Sequence, residues 1–233
     1  LHTTTRRQRQ MCIRDSNVTD NGDSDPTDDP TPVTLPTILE LGVAKSVVSP
    51  ITDNGDGTFT ANYTVTLENF GNVPLYDVQV TDSLTSNFGA LGASATTLTK
   101  GQYFIQTAPA IGGGSTNLTA NGFYNGDSNA ELLTLTAGDL LGVGSVETIT
   151  FSVKFYPDLD NTSLTYGNSA TASGDITEDG TSDNEATDDS VNGLDPDADN
   201  DGDGNDESGV TPLTVPTDAK IGVAKSVATP ITD

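Results

Sequence analysis

Apolar residues recur at every second position along three stretches of this chain, and that period decides what it can build. Phe59, Ala61, Tyr63, Val65 and Leu67 alternate with Thr60, Asn62, Thr64 and Thr66. Ile149, Phe151, Val153 and Phe155 alternate with Thr150, Ser152 and Lys154, and Tyr76, Val78 and Val80 with Asp77, Gln79 and Thr81. Successive side chains of a strand point to opposite faces, so this pattern predicts half-buried antiparallel strands. Asp53-Asn54-Gly55-Asp56-Gly57 between two such runs reads as a tight hairpin turn, and Asn69-Phe70-Gly71-Asn72 as another. Helical periodicity is absent. Many short strands with Gly, Asn and Asp turns predict an all-β, immunoglobulin-like antiparallel β-sandwich. The region 85–144 is less regular and reads as additional strands and long loops around Gly112-Gly113-Gly114 and the pairs Tyr103-Phe104 and Phe123-Tyr124.

A second period is much longer. TPVTLPTILELGVAKSVVSPITD (31–53) returns as TPLTVPTDAKIGVAKSVATPITD (211–233) at an offset of 180, with 15 of 23 positions identical. The chain therefore reads as a piece of a tandem array. Residues 17–37 are expected to be the acidic tail and last strand of a preceding repeat. Residues 38–217 form one complete repeat with an acidic loop over 175–210, and 218–233 the first strand of the next. Tandem arrays build length and extended surfaces, and most enzymes are not built this way.

Residues 6–16, RRQRQMCIRDS, hold all four Arg and the single Met and Cys; the single His is His2. Read as codons, the stretch resembles the transposase-delivered adapter of short-read sequencing libraries, and Leu1-His2 fits the end of its outer part. Residues 1–16 are accordingly expected to be a translated adapter and are set aside. The net charge of the whole chain is −25. Without these residues five Lys face 33 acidic residues, a net −28, with no Cys, His or Arg. That composition leaves no disulfide, thiolate nucleophile, Cys-based zinc site or His general base. The charge opposes nucleic-acid binding, and no apolar run is long enough to span a bilayer.

ENFGNVPLYDVQVTDSL (68–84) resembles the signature of the bacterial conserved-repeat family called domain of unknown function eleven: a strand ending Asn-x-Gly-Asn, an alternating strand, then Thr-Asp-x-Leu. GVAKS (42–46) resembles its first strand and GNSATASG (167–174) its Asn-x-Ala strand. The resemblance spans 38–217, although the long middle departs from the compact pattern. It implies an immunoglobulin-like sandwich in large secreted or surface proteins, repeated, with no known enzymatic activity.

DPDADNDGDGNDE (195–207) places Asp197, Asp199, Asp201 and Gly202 in the D-x-D-x-D-G order of calcium loops, where alternate carboxylates converge on one hard cation. Asp203 and Asn205 can follow as ligands. Position twelve is Ser208, where an EF-hand needs a bidentate Glu; Glu207 is one residue early. The stretch is therefore no EF-hand and is more similar to the acidic loops of thrombospondin-type-three repeats, without their Cys. The cofactor expected is Ca2+ bound by Asp197, Asp199, Asp201, Asp203, Asn205 and Glu207, with Asp179, Asp183 or Asp188 as further contributors. The alternative is a solvated acidic linker.

The alternation also puts polar residues at the core boundary. Lys45 shares a face with Leu41 and Val43, Asp82 with Val78 and Val80, and Asn168 with Tyr166 and Ala170. Burial there is costly unless the three pair. The set resembles fimbrial domains that form an intramolecular isopeptide bond. That resemblance implies attack of a first-strand Lys on a last-strand Asn, assisted by a buried acid. The Lys must be desolvated to offer a neutral amine, and a protonated carboxyl polarises the amide. The plainer alternative has Lys45 snorkelling to solvent, Asp82 capping a turn and Asn168 bonding the backbone.

These readings predict a non-enzymatic structural or adhesive repeat of a large secreted or cell-surface bacterial protein, stabilised by calcium. Its expected partners are neighbouring repeats of the same chain and a surface glycan or protein. The alternative is a calcium-dependent carbohydrate- or protein-binding module, for which Tyr103, Phe104, Phe123 and Tyr124 would have to be exposed.

Overall fold

A computed structural model describes residues 35–112, 118–158, 165–183, 185–216, 223 and 225–226. The adapter-like stretch, the tail to residue 34, Gly113, Gly114 and nearly all of 218–233 lie outside the described residues. A compact unit begins at Thr37.

The first half of the unit carries β1 (Leu41–Val47), β2 (Thr52–Asp53), β3 (Phe59–Asn69), β4 (Leu75–Thr81), a single helical turn α1 (Thr85–Phe88) and β5 (Ala90–Leu91). Then come β6 (Gln102–Gly112), β7 (Thr119–Ala120), β8 (Leu133–Thr134), β9 (Leu140–Leu141) and β10 (Val146–Tyr156). The last elements are β11 (Thr165–Asn168), β12 (Thr171–Asp175), β13 (Ala186–Asp189), β14 (Val191–Asn192) and β15 (Thr211–Thr214).

One sheet runs β14-β1-β3-β10-β6-β5, with β2 added to β3, and the other β13-β12-β4-β9. The long ladders β1–β3, β3–β10 and β10–β6 are antiparallel, as the alternation demands. Two short pairings are parallel instead, β1 with β14 and β5 with β6. Val43, Val65, Ile149 and Val153 of one sheet and Val78, Val80 and Ala172 of the other belong to one buried cluster, which makes the architecture the expected all-β sandwich. Removing this apolar surface from water at about 25 cal/mol per Å² is the main force holding the sheets together. The hairpin at 53–57 forms: Asn54 N–H donates to Thr58 O at 3.1 Å, and Gly55 N–H to Asp53 Oδ1 at 2.8 Å.

Two places depart from simple alternation. In β4 the inward residue is Leu75, fully buried, while Tyr76 is only half-buried. An extra residue between Tyr76 and Gln79, with Asp77 at φ 46°, shifts the register against β12 and reverses the face. The eleven-residue β6 also lacks a clean period. Its register on β10 slips between Ala110 and Thr107, where Pro109 sits, and again between Thr107 and Ile105. Proline has no N–H to give a ladder and is tolerated at such bulges. β15 pairs antiparallel with β11, setting Asn168 opposite Thr211.

Candidate functional site

Lys45, Asp82 and Asn168 come together in the interior, with exposures of 0%, 0% and 1%. β1 brings Lys45, the segment leaving β4 brings Asp82, and the end of β11 brings Asn168. Lys45 Nζ donates to Asp82 Oδ2 at 2.5 Å, and Asn168 Nδ2 donates to Asp82 Oδ1 at 3.0 Å. One carboxylate thus bridges an amine and a primary amide.

The walls are aromatic. Lys45 Nζ lies 4.8 Å from the centre of the Tyr63 ring and 5.7 Å from that of Phe151, and those two rings stack at 5.3 Å. Asp82 is fixed through its backbone, where its N–H donates to Ala130 O at 2.8 Å and its carbonyl accepts the Tyr124 hydroxyl at 3.1 Å. Burial pushes the Lys45 ammonium below its ordinary range, against the raising effect of Asp82. Lys45 does not snorkel, and Asn168 spends its amide on Asp82 and Asn87 side chains.

Asn87, which no sequence pattern marks, donates from Nδ2 to Asn168 Oδ1 at 3.2 Å. It sits on α1, a single turn too short to leave a periodic signal.

The acidic loop is seated on the outer face of β1. A Cβ on Gly42 would stand 2.7 Å from Phe70 Cε2 and 2.9 Å from both Gly204 O and Pro196 Cβ. A Cβ on Gly204 would meet Phe70 Cε2 at 2.3 Å. Two glycines therefore admit the Phe70 ring between strand and loop. Gly204 N–H also donates to Glu40 Oε1 at 3.0 Å. Gly204→Ala is expected to cost about 1–3 kcal/mol by overpacking and to unseat the loop, read as a lower melting temperature and faster proteolysis within 195–207.

Within the loop, Asp197, Asp199 and Glu207 each offer a carboxylate oxygen, all within 4.8 Å of one another, and this group could hold a metal ion. Glu207 Oε1 accepts the Asp199 N–H at 2.8 Å, and its Oε2 is buried without a hydrogen-bond partner. Being one residue early does not keep Glu207 out of the group. Asp201 and Asp203 accept the N–H groups of Asp203 and Asn205 at 2.9 and 3.3 Å and stand outside the three-carboxylate group.

Of the other acidic candidates, Asp188 lines a cleft shared with Asn205, Asp206 and Glu207. Asp179 and Asp183 lie elsewhere, their N–H groups held by Asp77 and Asp175. Burial pushes the Asp188 carboxyl up to about 7, opposed by its bond from Val43 N–H at 2.6 Å and aided by Asp189 and Glu207. An acid whose folded pKa is raised stabilises the fold below its unfolded value, and that contribution is lost as pH rises toward about 7. In chelator, melting temperature is expected to fall between pH 4 and pH 7.5, and Asp188→Asn to reduce that fall.

The aromatic pairs divide. Tyr103 and Tyr124 are buried, Phe104 is half-buried, and Phe123 is 86% exposed. They form no shared exposed platform. Among the described residues no helix is long and apolar enough to cross a membrane.

No family model and no curated protein matches the chain, so the resemblance to domain of unknown function eleven rests on its motifs alone. Among solved structures, the full-length major pilin SpaD from Corynebacterium diphtheriae is similar at 17% identity and a TM-score of 0.38. That match covers 66% of this chain and 34% of the pilin. This chain therefore spans about a third of the pilin's length. A Bordetella pertussis protein named ApaA is similar at 16% identity and a TM-score of 0.24, over 60% of this chain and 82% of that one. At such scores neither likeness bears on function.

Proposed function

We propose that this chain is a structural repeat of a large secreted or cell-surface bacterial protein, and that its sandwich locks itself with an amide bond between Lys45 Nζ and Asn168 Cγ. The observation that carries the crosslink is the bridging of Lys45 and Asn168 by the two oxygens of Asp82, all three buried. Burial favours the neutral amine that a nucleophile needs. A covalent tie between β1 and β11 supplies a chain this poor in Cys with the constraint that disulfides give other exported domains. The repeat of the GVAKS strand 180 residues on gives the next unit its own lysine, Lys225.

Calcium bound by Asp197, Asp199 and Glu207 is the second stabiliser in this reading. Adhesion through a surface glycan or protein would be a property of the assembled array.

Intact mass decides the crosslink. Formation releases one ammonia, so the purified chain is expected about 17 Da below its sequence mass, and Lys45→Met and Asn168→Ala each at their full sequence mass. An unshifted wild-type mass would eliminate the bond.

A further inference from the structure

We infer that Asn87 is a catalytic residue of the Lys45–Asn168 acyl transfer, donating from Nδ2 to the carbonyl oxygen on which negative charge develops, while Asp82 carries the proton between the two nitrogens. The inference rests on the crosslinking reading above and assigns its chemistry.

The resemblance to fimbrial domains implies an acid that polarises the amide carbonyl, and the geometry divides the labour differently. Asn168 presents Nδ2, the leaving nitrogen, to Asp82 at 3.0 Å and Oδ1 to Asn87 at 3.2 Å. A carboxylate oxygen only accepts, which orients the Asn168 amide with its NH2 toward Asp82. The carbonyl oxygen then faces the other way, and the donor it meets there is Asn87.

The placement of Asn87 is built. Phe88, the next residue of α1, is buried, and its ring stacks on Tyr166 of β11 at 5.4 Å and 14°. Tyr166 lies two residues before Asn168, so this contact fixes the helical turn on the strand that carries the electrophile. Phe88 N–H also donates to Leu84 O at 2.8 Å, closing the turn. Asn87 is half-buried, and a fixed donor aimed at a developing oxyanion needs little reorganisation during the reaction. Beside it, a cleft lined by Asn87, Phe88, Gly89, Asp158, Tyr166 and Gly167 opens to solvent.

The step balances. A proton passes from Lys45 Nζ to Asp82 Oδ2, leaving a neutral amine and a neutral carboxyl. The amine lone pair attacks Asn168 Cγ, forming the Nζ–Cγ bond and moving the C=O pair onto Oδ1, where Asn87 receives the charge. Asp82 gives its proton to Nδ2 and takes one from Nζ. The Cγ–Nδ2 bond then breaks, the carbonyl reforms, and ammonia leaves, taking up the remaining proton.

The test follows ammonia loss by intact mass during cell-free synthesis of the full chain, with a melting curve for each variant. Asn87→Leu keeps the shape and removes the donor; Asn87→Ala serves if Leu disturbs the fold. The expected result is conversion slowed about a hundredfold, with the fold intact and the pH profile of the rate unchanged. Conversion at the wild-type rate overturns the role of Asn87 and leaves the crosslink standing. A slower rate with a shifted pH profile also overturns it, because Asn87 would then act by positioning Lys45 and Asp82. A wild-type chain that never loses ammonia removes both readings together.

Discussion

Asp82→Ala is expected to be the most damaging single substitution in the unit, its stranded charge alone lowering the melting temperature by roughly 6–20 °C. The reason is the charge it leaves behind. Lys45 is fully buried among Tyr63, Phe151 and the sheet, and Asp82 is the carboxylate it pairs with. Removing one partner of a buried pair costs about 3–5 kcal/mol, and a domain of this size loses about 2–4 °C per kcal/mol. The variant also loses the proton carrier, so it should keep its full sequence mass. Lys45→Met strands the opposite charge. It removes the amine and the covalent tie and leaves the Asp82 carboxylate buried, with Asn168 Nδ2 still donating to it. By the loop-closure argument a tie across about a hundred residues contributes about 4–5 kcal/mol. Calorimetry of wild type, Asp82→Ala and Lys45→Met makes the comparison. Equal melting of wild type and Asp82→Ala would contradict the energetic role assigned to the pair.

The second large effect is that of calcium. Sites of extracellular type bind at about 10⁻⁴–10⁻³ M. At a hundredfold excess over the dissociation constant the native state gains about 2.7 kcal/mol, which is roughly 5–11 °C here. Thermal melting in 10 mM calcium against chelator measures the shift directly. Asp199→Ala and Glu207→Ala should each abolish most of it, because the three carboxylates converge through these side chains. Asp203→Ala should leave most of it, its carboxylate standing outside the group of three. No calcium-dependent change in melting would sink the metal reading, and a loss in Asp203→Ala equal to that in Glu207→Ala would redraw the ligand set.

Much of this was legible in the sequence because the signals were periodic. Alternation in 59–67 and 149–155 located β3 and β10, whose pairing is the longest ladder of the core sheet. The same alternation placed Lys45, Asp82 and Asn168 on inward faces, and the three meet. Where the period broke, the sequence went silent. Pro109 and two register slips hid β6, and the bulge at Asp77 turned Leu75 inward in place of Tyr76. Asn87 was invisible because a single helical turn has no repeat to detect, and its role depends on a contact 81 positions along the chain. The acidic loop was legible as a spacing, but its seating on β1 depends on Phe70 slipping between Gly42 and Gly204. Three residues so distant in sequence share no local pattern.

The hydrogen bonds at the Lys45 carbonyl bear on how an array of such units would carry tension. Lys45 O accepts the Thr211 hydroxyl at 2.7 Å and the Gly193 N–H at 2.9 Å, and Thr211 stands opposite Asn168 in the β11–β15 register. The strand by which the chain enters the unit and the strand by which it leaves therefore meet at one residue. A pull applied at Leu41 and at Thr214 crosses from Lys45 to β15 directly, and with the Lys45–Asn168 amide in place it crosses through a covalent bond. The residues from 46 to 167, most of the sandwich, then lie outside the line of force. Such a unit would resist extension like an inelastic link, and the rest of its fold would be free to vary without weakening the chain.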